Sequence, residues 1–396
     1  MIVGVPRESF PGERRVALVP AAIPNLTKAG LEVVVEAGAG MAAGYPDADY
    51  TAKGAKIIAE RAEVFRAADI VLQILCYGSN DKTGKADVPF FKRDQVLIGF
   101  LRPLGSLETI QEIAAKGVTS FSVELMPRTT RAQSMDVLSS MGTICGYKAV
   151  VLAADTSPRI FPMLTTAAGT ITPGRVLVIG AGVAGLQAIA TARRLGALAS
   201  AYDLRPAAKE QVQSLGGRFI ELPIEAKDAE DARGYARAQD ETFYKRQRDL
   251  LGKVVAESDV VISAAVIPGK KPPILVTKEM VASMAPGSVI VDLAGERGGN
   301  CELTRPGEIV VEYGVTIIGW FNLASTVPYH ASQMYARNVS AFLVHLVKEG
   351  KLQLNKEDEI IRETMLTRGG EVVNARVREF FSLPPLVADA PEVAKS

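Results

Sequence analysis

A glycine-rich turn between a predicted strand and a predicted helix constrains the fold of this chain most. The turn reads Gly180-Ala-Gly-Val-Ala-Gly185, and it lies between the β-branched run Arg175–Ile179 and a helical run at residues 186–194. In such a unit the first glycine permits a tight turn, the second lets a pyrophosphate approach the backbone, and the third lets helix and strand pack closely. The free N–H groups of the helix N-terminus then face the phosphates. This context favours a dinucleotide-binding βαβ unit over the alternative, a glycine-rich buried turn.

An acidic residue after the turn predicts which dinucleotide is bound. Asp203 closes the next predicted strand, at about the 20-residue separation expected of the acid that hydrogen-bonds the adenosine ribose. Its charge repels a 2′-phosphate, so the sequence favours NAD(H) over NADP(H), and Arg205 softens that preference. The alternative is that Asp203 is a surface acid at the end of a strand.

Short β-branched runs alternate with helical runs along most of the chain, the pattern of a parallel sheet covered by helices. In the N-terminal third of the chain we predict strands at residues 2–5, 32–35, 69–75, 96–101 and 118–123, with helices at residues 21–29, 59–67 and 107–115. A second series of strands is predicted at residues 175–179, 198–203, 218–221, 259–264, 288–293 and 315–318. The predicted fold is α/β, with two doubly wound parallel-sheet (Rossmann-like) domains.

Two further helical runs predict how the domains are connected. The apolar run at residues 135–155 lies between the two series of strands and is predicted to be a long interdomain helix. The run at residues 332–349 is predicted to pack back on the first domain, which makes that domain discontinuous. The predicted domains are an outer domain of residues 1–137 plus 328–382, an NAD(H)-binding domain of residues 138–327 and a tail of residues 383–396.

A charged segment at residues 225–249 interrupts the second series of strands and is too long for a tight connection. One interpretation is a solvated helix with i,i+4 ion pairs on its surface. The other is a mobile loop that closes over the cofactor, with Gly234 and Tyr235 as its hinge and its aromatic contact.

Charge and cysteine usage exclude several classes of protein. The chain has 45 Lys and Arg against 44 Asp and Glu, so no basic patch for nucleic acid is expected. Cys76, Cys145 and Cys301 are widely separated, which fits neither a disulfide framework nor a metal site and favours a reducing, cytoplasmic compartment. The N-terminal residues lack the pattern of a signal peptide, and the uncharged stretches at residues 176–192 and 313–336 contain glycine and polar groups that hydrocarbon penalises. We therefore expect a soluble chain without a metal.

A polar segment at residues 124–140 precedes the interdomain helix. Composition alone predicts a capped loop, but a dinucleotide in a doubly wound fold lies outside the carboxyl ends of the strands, where such a loop would face it. The segment contains an Arg-Xaa4-Gln-Xaa2-Asp-Xaa2-Ser pattern: Arg128, Gln133, Asp136 and Ser139.

These motifs resemble the NAD(H)-binding first domain of proton-translocating nicotinamide nucleotide transhydrogenase. The resemblance covers roughly residues 1–347 and is carried by residues 11–18, 124–140, 165–170, 178–192 and 291–303. It implies a soluble subunit that binds NAD(H) and transfers hydride directly to or from NADP(H) on a membrane-embedded partner, where protons cross. It also implies a homodimer attached peripherally to the inner (cytoplasmic) membrane through the partner subunits.

The resemblance also assigns roles to residues. Hydride transfer between two nicotinamides requires close approach and exclusion of water but no general acid or base. Arg128, Asp136 and Ser139 would hold the nicotinamide carboxamide, and Gln133 would face the partner's nucleotide. The residues predicted to bind NAD(H) are Gly180, Gly182, Val183, Ala184, Gly185, Asp203, Arg205, Tyr235, Ala264 and Ala265.

The chain also resembles alanine dehydrogenase, an alternative that requires groups able to move protons. Arg15 is retained, but Gln73 occupies the position of that family's catalytic lysine and Arg102 that of its histidine, while Glu296 replaces an aspartate. Gln73 does not titrate and Arg102 is too basic to exchange a proton, so the departures favour transhydrogenase, with Arg15 as a remnant that pairs with a carboxylate. A third alternative is a non-catalytic NAD(H)-sensing module, against which the retained polar segment argues.

Overall fold

The computed structural model describes residues 1–223, 239–267, 269–320, 322–384 and 386. The chain divides into two units. Unit 1 consists of Met1–Leu138 and Pro328–Ser396, and unit 2 of Ser139–Val327.

The first segment of unit 1 alternates strands with helices. The strands are β1 (Ile2–Val5), β2 (Glu32–Glu36), β3 (Lys56–Ile58), β4 (Ile70–Leu75), β5 (Val96–Phe100) and β6 (Thr119–Ser122). The helices are α1 (Ile23–Lys28), α2 (Asp47–Ala52), α3 (Arg61–Ala67) and α4 (Leu107–Ala115). All six strands pair in parallel in the order β3-β2-β1-β4-β5-β6, which is the doubly wound order. Because helices cover both faces of such a sheet, the central strands β4 (IVLQIL) and β5 (VLIGF) are almost wholly apolar.

Helix α5 (Val137–Thr156) leads from unit 1 into unit 2. Among the described residues it is the one helix long and apolar enough to cross a membrane by length and composition, a test that the core helix of a globular protein also passes. Its side chains Ala149, Val150 and Ala153 belong to the buried core of unit 2. A Cβ at Gly146 would overlap the carbonyl oxygen of Ala184, so glycine permits this close helix contact.

Unit 2 contains the second parallel sheet. Its strands are β7 (Leu164–Thr166), β8 (Gly169–Ile171), β9 (Arg175–Ile179), β10 (Leu198–Tyr202), β11 (Arg218–Phe219), β12 (Val260–Ser263), β13 (Val289–Asp292), β14 (Ile309–Glu312) and β15 (Val315–Ile318). Its helices after α5 are α6 (Val183–Arg194), α7 (Ala208–Ser214), α8 (Glu241–Ala256) and α9 (Lys278–Ser283). The sheet order is β11-β10-β9-β12-β13-β15-β14, and only β14, at the edge, runs antiparallel to the other described strands of this sheet. Strands β7 and β8 form a separate hairpin.

The return segment completes unit 1. It contains the helices α10 (Pro328–Leu346), α11 (Glu359–Thr364) and α12 (Ala375–Phe380), and the strands β16 (Val347–Lys348), β17 (Lys351–Leu352), β18 (Met365–Arg368) and β19 (Glu371–Val372). Strand β18 pairs antiparallel with β6 and extends the sheet of unit 1 to eight described strands.

The predicted fold class is confirmed, because both sheets are doubly wound with mainly parallel strands. The sequence pattern missed β3 and the short antiparallel strands β7, β8, β14 and β16 to β19, which lack long apolar runs. Of the two interpretations of residues 225–249, the helix agrees with the described C-terminal end, since α8 begins at Glu241, capped by the Asp240 carboxylate that accepts from the Phe243 N–H at 2.7 Å. Residues 225–238, with Tyr235, lie outside the described residues.

Candidate functional site

The glycine turn of unit 2 has the geometry that its sequence predicts. Gly180 has a φ of +97°, and a Cβ on it would press on the peptide between Ala264 and Ala265. A Cβ on Gly185 would overlap the Gly180 carbonyl oxygen, so the third glycine permits α6 to pack against β9. Gly182 is the N-cap of α6, and a Cβ on it would meet no described atom within 4 Å. The turn thus leaves open space where the helix presents its free N–H groups.

Asp203 is attached to this turn. Its Oδ2 accepts a hydrogen bond from the Ala181 N–H at 2.7 Å, and Oδ1 accepts one from the Arg205 N–H at 2.8 Å. The Arg205 guanidinium adds two more, from Nε to Oδ1 at 2.9 Å and from Nη2 to Oδ2 at 3.0 Å. A carboxylate accepts about four hydrogen bonds, so a ribose hydroxyl that binds Asp203 must displace a guanidinium contact.

A residue that sequence reasoning did not select fixes the other side of the turn. The Asn300 Oδ1 accepts from the Ala265 N–H at 3.1 Å, while its Nδ2 donates to the carbonyl oxygens of Ala265 and Pro273, both at 2.9 Å. Asn300 is fully buried. Its hydrogen bonds join Ala265 and Pro273, the two ends of the segment that follows β12. The predicted cofactor residue Ala265 owes its position to this amide.

Asn300 is in turn held by Asp292 at the end of β13. Asp292 Oδ2 accepts from the backbone N–H groups of Asn300 at 2.8 Å and Cys301 at 3.0 Å, and from the Thr304 hydroxyl at 2.7 Å. Its Oδ1 accepts from the Ser263 hydroxyl at 2.9 Å. This buried network ties the carboxyl ends of β12 and β13 together, beside the strand that carries the glycine turn.

The polar segment predicted to act in catalysis forms a 3-10 helix over Thr130–Met135 before α5 begins. The boundary of the two units follows Leu138, so Arg128, Gln133 and Asp136 belong to unit 1 and Ser139 to unit 2. The segment is anchored to α10 by Asn338, whose Nδ2 donates to the Ser134 carbonyl oxygen at 2.8 Å. That these four residues act on one nicotinamide stays a prediction.

Gln133 is an exposed side chain of this segment. In the described residues of the chain its amide makes no hydrogen bond. The neighbouring Arg131 instead pairs with Asp358 at 2.6 Å, and Asp358 also approaches His345 Nε2 at 3.2 Å. The pKa of Asp358 is lowered overall, because the Ile360 N–H, His345 and Arg131 outweigh desolvation.

Two of the positions compared with alanine dehydrogenase, Arg15 and Gln73, make buried contacts with carboxylates of this chain. Arg15 forms a bidentate ion pair with Glu13, from Nε to Oε1 at 2.8 Å and from Nη2 to Oε2 at 2.6 Å. This confirms the predicted pairing of Arg15 with a carboxylate. Gln73 donates from Nε2 to Asp87 Oδ2 at 3.1 Å, and Arg61 holds both oxygens of Asp87 at 2.7 Å. The Gln73 Oε1 has no hydrogen-bond partner among the described residues. Charge here is therefore compensated within the protein.

Two carboxylates at the same end of the sheet are desolvated. Glu8 accepts from the N–H groups of Ile74 at 2.6 Å and Leu75 at 3.1 Å, and desolvation, followed by repulsion from Glu13, raises its pKa to about 8. Desolvation also raises the pKa of Glu124, whose Oε1 accepts from the Arg102 N–H at 2.7 Å. Arg102 itself has a φ of +49°, a strained backbone for a residue other than glycine.

Among the described residues no group of three or more His, Cys, Asp and Glu side chains could hold a metal ion. The three cysteines are free thiols, and desolvation raises the pKa of Cys76 and, to about 11, that of Cys301.

Comparison with known proteins matches both halves of the chain to one family. The sequence model described as Alanine dehydrogenase/PNT, N-terminal domain, matches residues 4–145, and its C-terminal counterpart matches residues 149–375. An NAD(P) transhydrogenase alpha subunit protein of Rhodospirillum rubrum is 46% identical over 377 residues, covering 94% of this chain and 98% of that protein. The crystal structure of transhydrogenase from Sinorhizobium meliloti has a TM-score of 0.83 at 44% identity, covering 94% of this chain and 100% of that one. Alanine dehydrogenase 1 of Staphylococcus aureus is 29% identical over 384 residues, covering 94% of this chain and 95% of that protein.

Proposed function

This chain belongs to the alanine dehydrogenase/PNT family, in its transhydrogenase branch, and from that premise we propose that it binds NAD(H) and exchanges hydride with NADP(H) held by a partner subunit. Unit 2 is the NAD(H)-binding domain of this proposal, and unit 1 supplies Arg128, Gln133 and Asp136. The partner subunits are embedded in the inner membrane, and the chain attaches to that membrane peripherally through them. Proton translocation takes place in those subunits.

One contrast carries the proposal: the glycine turn of unit 2 leaves open space, whereas polar side chains at the strand ends of unit 1 bind one another. The space beside Gly182, with the N–H groups of α6 and the Asp203 carboxylate, fits a dinucleotide pyrophosphate and ribose. In unit 1, Arg15 pairs with Glu13 and Gln73 donates to Asp87, and Gln73 cannot carry a proton. The chain thus offers a place for a nucleotide and, at the lysine position, no proton carrier for amino-acid oxidation.

The reaction requires this chain to position the nicotinamide ring rather than to move protons. When bound, NAD(H) supplies a nicotinamide ring whose C4 gives or takes a hydride with its two electrons. Direct exchange between two rings needs their reacting carbons at near contact and water excluded. The Asn300 amide fixes Ala265 and the Asp203 carboxylate fixes Ala181, so both walls of the turn are set before binding. Arg128, Asp136 and Ser139 orient the carboxamide, and Gln133 meets the partner's nucleotide.

The proposal includes a homodimer, for which hairpin β7–β8 supplies an apolar surface. All six strand residues of the hairpin are exposed, and Met163, Leu164 and Ile171 are exposed by 63%, 37% and 42%. Apolar side chains grouped in this way are typical of association surfaces. Met163→Asp combined with Leu164→Asp should produce monomers in sedimentation velocity. Met41→Asp, at a methionine 60% exposed in unit 1, should leave the dimer intact; a dimer that survives the double change refutes this surface.

The proposed function is tested by mixing the chain with an isolated NADP(H)-binding domain of a transhydrogenase, NADPH and an NAD⁺ analogue whose reduced form absorbs at its own wavelength. We expect the reduced analogue to form only when all components are present. A parallel sample with alanine and NAD⁺ should stay silent. NADH formed from alanine would establish the dehydrogenase alternative, and NADH binding without exchange would establish the sensing module.

A further inference from the structure

Unit 1 contains a groove of about 760 Å³ between α1 and α10. Ser134 and Met135 also line it, and the Asn338 Nδ2 on α10 donates to the Ser134 carbonyl oxygen. Ala22, Met135 and Val344 contribute apolar lining. A groove of this volume is within the range of specific binding sites.

The groove carries positive charge without compensation. Lys28 and Arg337 line it, both are exposed, and neither forms an ion pair with any described acidic side chain. No Asp or Glu occurs among the described residues that line it. Because the whole chain has a net charge of only +1, this excess is local and selects an acidic occupant.

A buried hydroxyl lines the same groove. Ser340 is only 4% exposed, and its Oγ has no hydrogen-bond partner among the described residues. A serine inside a helix ordinarily donates to the carbonyl of the preceding turn, and a buried hydroxyl left without a partner is destabilising. An occupant that presents a carbonyl or carboxylate oxygen would supply the missing acceptor.

The position of the groove identifies the occupant. Ser134 and Met135 directly follow Gln133, the exposed amide that, under the function proposed above, meets the partner's nucleotide. A partner that reaches Gln133 thereby comes beside the groove. We propose that an acidic segment of the NADP(H)-binding partner lies in the groove, with carboxylates against Lys28 and Arg337, apolar side chains on Met135 and Val344, and an oxygen accepting from Ser340. This inference rests on the proposed hydride exchange and adds the surface that aligns the two subunits.

The test measures exchange while the concentration of the isolated NADP(H)-binding domain is varied. Lys28→Glu with Arg337→Glu should raise the half-saturating concentration of that domain at least about tenfold, because two attractions become repulsions. The rate at saturation and the affinity for NADH should not change. The matched control is Lys53→Glu with Arg93→Glu, two exposed cations of unit 1 outside the groove, and it should shift the half-saturating concentration less than about twofold.

Ser340→Ala separates docking from folding. It should raise the half-saturating concentration about threefold by removing one hydrogen bond, yet leave thermal unfolding of the free chain unchanged or shifted upward. An unchanged half-saturating concentration in the Lys28 and Arg337 variant, with exchange intact, overturns the groove as a docking surface. Failure of the unmodified chain to exchange hydride contradicts the proposed function instead, so the two failures are distinguishable.

Discussion

The two sheets of this chain have the same parallel strand order, yet the residues at their carboxyl ends have opposite character. In unit 2 the first strand leads into Gly180 and Gly182, and the turn leaves space beside the α6 N-terminus. In unit 1 the first strand leads to Glu8, Glu13 and Arg15, which make hydrogen bonds and ion pairs inside the protein. The doubly wound order provides a crevice in either case. Residue chemistry at the strand ends decides which crevice takes a ligand.

The sharpest test of this comparison fills the open turn. A Cβ at Gly182 meets no described protein atom, so Gly182→Ala should fold normally and occupy space that a pyrophosphate needs. We expect NADH affinity to fall roughly 100-fold, about 3 kcal/mol, because charge-assisted phosphate hydrogen bonds are lost. NADH fluorescence titration measures this. Gly252→Ala within α8 is the control and should bind normally; normal binding by Gly182→Ala would remove the turn from the site.

The Asn300 amide tests whether the wall of the open turn must be held in place. Asn300→Ala leaves the Ala265 N–H and the carbonyl oxygens of Ala265 and Pro273 without their partner. We expect unfolding of unit 2 to become easier by about 2 kcal/mol and NADH affinity to drop about tenfold. Urea unfolding and NADH titration check the two effects. A stability loss with unchanged NADH affinity would make Asn300 structural only.

Glu8, at the end of the first strand of unit 1, should make the free energy of unfolding depend on pH. The pKa of Glu8 is raised to about 8 in the folded chain, above its ordinary value of 4.5. Between these values the folded state holds one more proton than the unfolded state, so the free energy of unfolding decreases as pH rises. Glu8 is desolvated but retains some exposed surface, which screens its charge, so we expect it to account for only about 1 kcal/mol between pH 6 and pH 8.

The comparison variant for this pH effect is Glu8→Gln. It loses one acceptor for the N–H groups of Ile74 and Leu75, so it should be less stable at both pH values. Its decrease in unfolding free energy from pH 6 to pH 8 should be smaller than that of the unmodified chain. Equal decreases in urea unfolding would contradict a raised pKa for Glu8.

Apolar runs and the glycine turn predicted the parallel strands of both sheets except β3, because buried strands and phosphate turns restrict sequence locally. The hairpin of β18 and β19 had a local signal in Gly369-Gly370, both at positive φ, that a search for two-residue turns would find. The hairpin of β14 and β15 turns at Tyr313-Gly314, also both at positive φ; Gly314 is a turn signal, but the tyrosine before it is not a residue that predicts such a turn.

Residues that act through long-range contacts escaped prediction for another reason. Asn300 holds Ala265, which lies 35 positions away, and only the pairing of β12 with β13 brings them together. The contacts of Asp203 escaped prediction for a local reason. A carboxylate at a strand end can face either a ligand or a neighbouring guanidinium, and here it accepts four hydrogen bonds from the protein. The sequence therefore predicted that Arg205 would weaken the effect of Asp203, but not that its guanidinium would contact both carboxylate oxygens.

Arg205 offers the finest test of the open site. Its guanidinium compensates the Asp203 carboxylate that would otherwise repel a 2′-phosphate. Arg205→Ala removes that compensation and frees acceptor positions for a ribose hydroxyl, so NADH should bind more tightly and NADPH more weakly. We expect the ratio of the two affinities to rise about threefold, the effect of one partly exposed charge pair. Competition titration at low salt measures the ratio, with Arg194→Ala, a basic residue in the last turn of α6, as the control. A ratio that falls would mean that the Arg205 guanidinium, rather than the Asp203 carboxylate, contacts the ribose.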